Sequence, residues 1–405
     1  MQIKPFNALR PRPDLAAQVA VPPYDVVSTR EAADLATGNP HSFFHVTRSE
    51  IDLPAGTDLY ADAVYARAAQ NFRHLEQQGV LIRESAPSFY LYRQIMGHHA
   101  QRGVVACCAV DDYLSQTIKT HEKTRKDKES DRTRHIRELN AQTGPVFLLY
   151  RDRPEIDRLV AAVEQAAPLT DFVGHDGIAH AVWRVAETAP LARAFAAVTP
   201  AYIADGHHRA AAAVRIAQER RAAPGNAPDA EHNWFLGVLF PASQLHILPY
   251  NRVVTDLSAH TPAAFLHAVR AAGFVVEESA SPTPAAPQHA SMYVGGRWYG
   301  LHWEAPASAD PASTLDVSVL QDRLLAPILG IADPRTSKRI DFVGGIRGPG
   351  ELIKLVDGGK AAVAFSMFPT TVEQLMAISD AGQTMPPKST WFEPKLRCGL
   401  LIHTL

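Results

Sequence analysis

Between Ala201 and Arg215 the sequence changes period within two residues. Ala201-Tyr202-Ile203-Ala204 is a short apolar run of strand type, Asp205-Gly206 is a turn pair, and His207-His208-Arg209 leads into the alanine-rich Ala210–Arg215. The stretch therefore predicts strand, sharp glycine turn and helix in that order, which requires a sheet with a helix layered on it. The first turn of a helix carries backbone N–H groups with no intrahelical acceptor and a partial positive charge. Two histidines and an arginine at that end read as an anion site, with phosphate the commonest biological anion of suitable size. The competing reading is a plain turn with incidental histidines. Adjacent helical residues point about 100° apart, however, so His207 and His208 do not share one buried face.

Mixed strand and helix patterns with several hairpins, rather than strict βαβ alternation, predict an α+β fold, mixed sheets with flanking helices. A length of 405 residues suits two domains, placed at 1–243 and 244–405. Asn233–Phe240 is an almost unbroken apolar run, fit for a central strand. His41–Arg48 reads as a strand by alternation, 316–329 as a helix, and Met292–Trp303 as a hairpin turning at Gly295-Gly296. Loops are expected over 222–229 and 279–288. A formal net charge of -2 gives no global field for nucleic acid or acidic membranes. No apolar run reaches the ~18 residues of a membrane span. The start of the chain lacks a signal-peptide pattern, and the cysteines Cys107, Cys108 and Cys398 have no metal spacing. These features predict a cytoplasmic protein without nucleic-acid or membrane partners. The homo-oligomeric state is left open.

Three further stretches concentrate polar chemistry. Pro22-Pro23-Tyr24-Asp25 is a stiff loop whose Asp25 is a base, a metal ligand or a turn aspartate. Ser28, with Glu31 after it, caps the next helix. His121-Glu122 precedes a charged helix carrying Lys128, Asp131 and Arg132. Its charges read either as a solvated face or as a polyanion clamp with a proton acceptor. Met385–Lys395 offers Lys388, Ser389, Thr390 and Lys395 in a proline-stiffened segment, without the glycine-rich lead of a P-loop.

Asp205, His207, His208, His121 and Glu122 include enough ligand types for zinc. No H-x-x-x-H or H-E-x-x-H spacing places two histidines on one helical face, so the metal is left undetermined. Magnesium held by carboxylates and a substrate phosphate is compatible with so few protein ligands. The chain also lacks a G-x-S-x-G elbow and a G-x-G-x-x-G turn.

The set Pro22–Val26, His121–Thr124 with Asp131-Arg132, Ala204–Arg209 and Met385–Lys395 resembles a bacterial and archaeal family defined only as a domain of unknown function, number 1015. The resemblance covers essentially the whole chain. More distantly, Asp205-Gly206-His207-His208-Arg209 is similar to a turn of the ParB/sulfiredoxin superfamily, which includes nucleotide-phosphate binders and an ADP-dependent free-serine kinase. This likeness implies a ParB/sulfiredoxin-like element around 200–221, with residues 1–243 as the phosphate-binding domain and the tail of the second domain completing the site. It also implies phosphoryl transfer on a small metabolite, serine or phosphoserine, as kinase or phosphatase, with ATP or ADP and Mg²⁺ as companions. On that reading His207, His208 and Arg209 bind phosphate and Glu122 or Asp25 activates the acceptor, with His121 beside them. Lys128, Arg132 and Lys388 stabilise the transferring group. The alternative is a ParB-like nucleotide-binding regulatory or DNA-associated protein without metabolic catalysis.

Overall fold

The apolar run expected to form a central strand does so: Trp234–Pro241 is buried along almost its full length. The computed structural model describes residues 1–224, 227–278, 281–307 and 310–405. Of the expected loops, Gly225, Asn226, Ser279 and Ala280 lie outside the described residues. The fold is α+β, in two units: Met1–Leu245 with Pro394–Leu405, and His246–Glu393.

The first unit is built on a nine-stranded mixed sheet. Its strands are β1 (Ile3–Lys4), β2 (Phe89–Met96), β3 (His99–Ala109), β4 (Ile118–Lys119), β5 (Val146–Tyr150), β6 (Thr170–Val173), β7 (Ala179–Val185), β8 (Ala201–Asp205) and β9 (Trp234–Pro241). Their order is β4-β8-β5-β9-β3-β2-β7-β6, with β1 paired to β3. The pairs β8–β4 and β9–β5 are parallel, whereas β8–β5 and β9–β3 are antiparallel. Among the helices are α1 (Thr29–Ala36), α2 (Asp62–Gln77), α3 (Lys126–Leu139) and α4 (His207–Arg221). Ser28 and Glu31 form the expected capping box of α1. The alanines of α4 let it lie close on the sheet, where Ala210, Ala213 and Ala217 share a core with Val104, Leu148 and Phe235. A second core gathers Phe43, Phe44 and Phe72 with Cys398 and Ile402, which ties the end of the chain into this unit. All three cysteines are buried free thiols.

The second unit holds a six-stranded antiparallel sheet of β10 (Tyr250–Val254), β11 (Val275–Glu278), β12 (His289–Val294), β13 (Arg297–His302), β14 (Ile340–Gly344) and β15 (Val363–Met367). Their order is β11-β13-β12-β15-β10-β14. The β12–β13 hairpin turns at Gly295-Gly296 as expected, both with positive φ.

Two local expectations change. The segment His41–Arg48 is not a strand, since Phe44–Thr47 forms a helical turn. The reason is packing: Phe43, Phe44, Val46 and Thr47 are all buried, which strand alternation does not allow. The helix expected over 316–329 is α-helical only over Asp316–Leu320 and continues as a π-turn, Gln321–Leu325. Among the described residues no helix is long and apolar enough to cross a membrane.

Candidate active site

The strand–turn–helix of residues 201–221 forms as read, with two refinements. A β-bulge between Ile203 and Asp205 breaks the register of β8 against β5, and bulges of this kind re-aim the side chain at the strand end. Gly206, with φ +93°, caps α4 in the left-handed region. A Cβ there would stand 2.9 Å from Nε and 3.0 Å from Cζ of Arg209. Glycine is thus required twice, for the backbone and for the arginine folded back over the turn. Gly206→Ala is expected to cost about 1–2 kcal/mol from the backbone alone and to displace the guanidinium. Urea unfolding measures it, and a neutral substitution would refute this account of the turn.

Asp205 stands at the centre of the charge arrangement. Its Oδ1 accepts from the Gly206 N–H at 2.7 Å, and its Oδ2 is 3.1 Å from Lys395 Nζ. The Arg209 guanidinium lies 3.8 Å away. Burial on its own raises a carboxyl, but Lys395 and Arg209 prevail and hold Asp205 below the usual carboxylate range. Arg209 is only 9% exposed. It donates to the Pro145 carbonyl, yet its Nε is buried with no hydrogen-bond partner among the described residues. The negative charge of Asp25, exposed on the N-terminal loop, also acts on it.

The charged stretch preceding α3 meets the start of α4. The His121 backbone N–H donates to His207 Nε2 at 3.5 Å, and the Arg125 N–H donates to His208 Nε2 at 2.9 Å. The His121 and His207 rings stand edge to face, with centroids 4.5 Å apart. Glu122 Oε2 is 4.0 Å from His207 Nδ1. Burial pushes His121 down to about 4 and His207 well below its ordinary value, so both imidazoles are neutral at pH 7. His207 therefore serves as a neutral donor or ligand rather than as the cation a surface reading implies. Ligating atoms of His121, Glu122 and His207 all lie within 4.8 Å of one another.

Arg132 continues this wall. Its guanidinium carbon sits 3.8 Å from the centroid of the Tyr24 ring, and it binds Asp131, whose other oxygen accepts from Tyr65 at 2.7 Å. Burial raises the Tyr24 hydroxyl well above its ordinary value and keeps it protonated. One cavity beside this stack is lined by Tyr24, Arg132, Gly144, Arg209 and Cys398. Another is lined by Tyr24, Arg48, Glu50, Lys128, Asp131 and Arg132. Lys128 Nζ is 3.3 Å from the Tyr60 hydroxyl.

The first unit thus brings together His121, Glu122, Asp205, Gly206, His207, His208, Arg209 and Lys395, with Lys128 and Arg132 on the adjoining helix. Lys388, Ser389 and Thr390 belong to the second unit. There Lys388 lies over the Tyr250 ring and Ser389 Oγ donates to the Pro386 carbonyl at 2.6 Å. Sequence reasoning missed Tyr24 and Gly144 as lining residues. Tyr24 carried a signal in its proline-stiffened loop. Gly144 carried none, because its role is to leave room: a Cβ there would stand 2.8 Å from Cys398 Sγ.

These features define an α+β protein with a cluster of titratable side chains at the start of a helix laid on a mixed sheet. The chain belongs to the family described as protein of unknown function (DUF1015), whose model matches residues 3–318. It is similar in structure to SbnI with a C-terminal truncation from Staphylococcus aureus, with TM-score 0.39 and 11% identity over 73% of this chain and 84% of that one. A free serine kinase in complex with AMP gives TM-score 0.36 and 11% identity over 72% and 86%. A conserved hypothetical protein from Pyrococcus furiosus gives 0.35 and 13% over 73% and 93%. No curated protein matches the chain.

Proposed function

We propose that this protein transfers a phosphoryl group on a small metabolite, serine or phosphoserine, with a nucleotide and Mg²⁺ as companions. The observation that carries the reading is Arg209: a buried guanidinium with an unpartnered Nε, folded over a helix N-terminus. A phosphate oxygen satisfies that N–H and the first-turn backbone N–H groups together. The similarity of Asp205–Arg209 to the ParB/sulfiredoxin turn supports a nucleotide phosphate there. Lys395, brought in by the end of the chain, and Arg132 supply further positive charge. The cavity beside Tyr24 presents Arg48 with Glu50 and Arg132 with Asp131. A wall of both signs suits a zwitterion, with its carboxylate toward guanidinium and its ammonium toward carboxylate. Two carboxylates are the candidates to take the hydroxyl proton: Glu122, 4.0 Å from His207 Nδ1, and Asp25, whose charge acts on Arg209. Kinase and phosphatase directions use the same groups and differ in whether serine or water accepts the phosphoryl.

The test is turnover by the purified protein with Mg²⁺, scoring phosphoserine formed from serine and ATP or ADP, and phosphate released from phosphoserine. Substitution of the true base, Asp25→Asn or Glu122→Gln, is expected to lower kcat about 10²–10⁴-fold with binding retained. Absence of turnover in every combination would reject the assignment.

A further inference from the structure

We infer that His121, Glu122 and His207 form a binding site for a divalent transition-metal ion. It rests on the geometry of these three side chains, and not on the phosphoryl-transfer reading.

Two imidazoles and one carboxylate converge from a loop and a helix start, with ligating atoms all within 4.8 Å of one another. An ion among three such atoms lies no more than about 2.8 Å from any of them, so shifts under about 1 Å bring each to the ~2.0–2.2 Å of zinc–nitrogen and zinc–oxygen bonds. The 4.0 Å between Glu122 Oε2 and His207 Nδ1 is too long for a hydrogen bond. It is ~0.6 Å longer than the roughly 3.4 Å that two ~2.1 Å metal–ligand bonds span at a tetrahedral angle, a gap that the shifts just given close. Ligation costs the His207 ring one weak contact, the 3.5 Å bond that it accepts from the His121 N–H. The surroundings hold the ligands in place. His207 is fixed as the first residue of α4 by Gly206, and both histidines are at least nineteen-twentieths buried (2% and 4% exposed). Glu122 keeps 35% of its side chain exposed, which leaves an entry path.

The donor set selects the ion. Imidazole suits zinc, iron, cobalt or nickel, whereas magnesium takes oxygen ligands and keeps its waters. The site is therefore distinct from any Mg²⁺ that accompanies a nucleotide. Three protein ligands leave a position for water or a substrate oxygen, the arrangement of catalytic rather than structural zinc. When bound, such an ion supplies a fixed positive charge beside the α4 N-terminus. Ligation commits Glu122 to the ion and leaves Asp25 as the carboxylate for proton transfer.

The experiment titrates chelator-treated full-length protein with Zn²⁺ by calorimetry and with Co²⁺ by visible absorption, without nucleotide or serine. One equivalent per chain, with Co²⁺ bands in the tetrahedral or five-coordinate range and no displacement by millimolar Mg²⁺, is the expected result. Glu122→Gln and His207→Ala should each weaken binding at least ~10-fold, while His74→Ala, an exposed histidine on α2, should not. Circular dichroism confirms the fold of each variant. If His207→Ala does not fold, Glu122→Gln decides, because its chain change is a single atom. No stoichiometric binding, or binding indifferent to Glu122→Gln, overturns the site. Turnover by protein that binds no Zn²⁺ would overturn this inference and leave the phosphoryl-transfer reading standing; Zn²⁺ binding without turnover would do the reverse.

Discussion

Acidification from pH 7 to pH 5 is expected to remove about 4 kcal/mol of folding stability through two buried histidines alone. Burial lowers His135 to about 4 and His180 to about 3. His135 uses its Nε2–H to donate to the Val46 carbonyl at 3.1 Å. His180 Nε2 accepts from Arg397 Nε at 3.1 Å, so a proton there would replace an accepted bond and face a guanidinium. Unfolded, both rings protonate near 6.5. Between 6.5 and the folded values the unfolded chain binds more protons than the folded one, so stability is full above pH 6.5 and falls with pH. Each group loses about 1.4 kcal/mol per pH unit across that window, or roughly 2 kcal/mol by pH 5. For a protein of typical stability, about 5–15 kcal/mol, this is a large share. An acid titration followed by far-ultraviolet circular dichroism and urea midpoints checks it. A urea midpoint unchanged between pH 7 and 5 would contradict the neutral buried state of these rings.

Asp205→Ala is expected to cost on the order of 3 kcal/mol, the low end for a broken buried ion pair. The substitution leaves Lys395 and Arg209 without their shared counter-charge, their side chains only 12% and 10% exposed. It also removes the acceptor of the Gly206 N–H. The cost sits at the low end because the Asp205 side chain keeps 27% exposure, which lets water compensate in part. Asp205→Asn should fall between, since the amide keeps an acceptor but loses the charge. Urea denaturation at neutral pH measures both. A loss below about 1 kcal/mol for Asp205→Ala would mean that the two cations are solvated rather than held by the aspartate. The result bears on function as well, because Lys395 and Arg209 are the cations nearest the proposed phosphate. Asp205 holds both cations in place, which accounts for an acid beside the proposed anion site.

Several features were legible in the sequence because they depend on local chemistry. The passage of Ala201–Arg215 from strand to helix follows from residue period, glycine and alanine propensity, and it forms where read. The capping box at Ser28, the central strand at Trp234–Pro241 and the Gly295-Gly296 hairpin share that origin. The His41–Arg48 misreading shows the limit of period: alternation marks which residues differ, whereas burial of adjacent Phe43 and Phe44 is decided by what packs on them.

The site itself was only partly legible. That His121-Glu122 and Asp205–Arg209 concentrate titratable side chains could be read from residue types. That they meet could not, because 86 positions separate His121 from His207 and no spacing rule reaches that far. The one-helix histidine spacings argue only about ligands on a single element, and here loop and helix start supply them from different parts of the chain. Protonation was equally out of reach. By type His207 is either a cation or a neutral proton donor, and tertiary packing, by removing it from water, makes it neutral. The sequence by itself determined the strand–turn–helix and its glycine, since these depend on steric and hydrogen-bonding preferences of neighbouring residues. Only the tertiary structure decided that Lys395 answers Asp205, that Arg209 folds back with an unpartnered Nε, and that two neutral imidazoles face one carboxylate. Desolvation and long-range contact exist only once the chain has closed on itself.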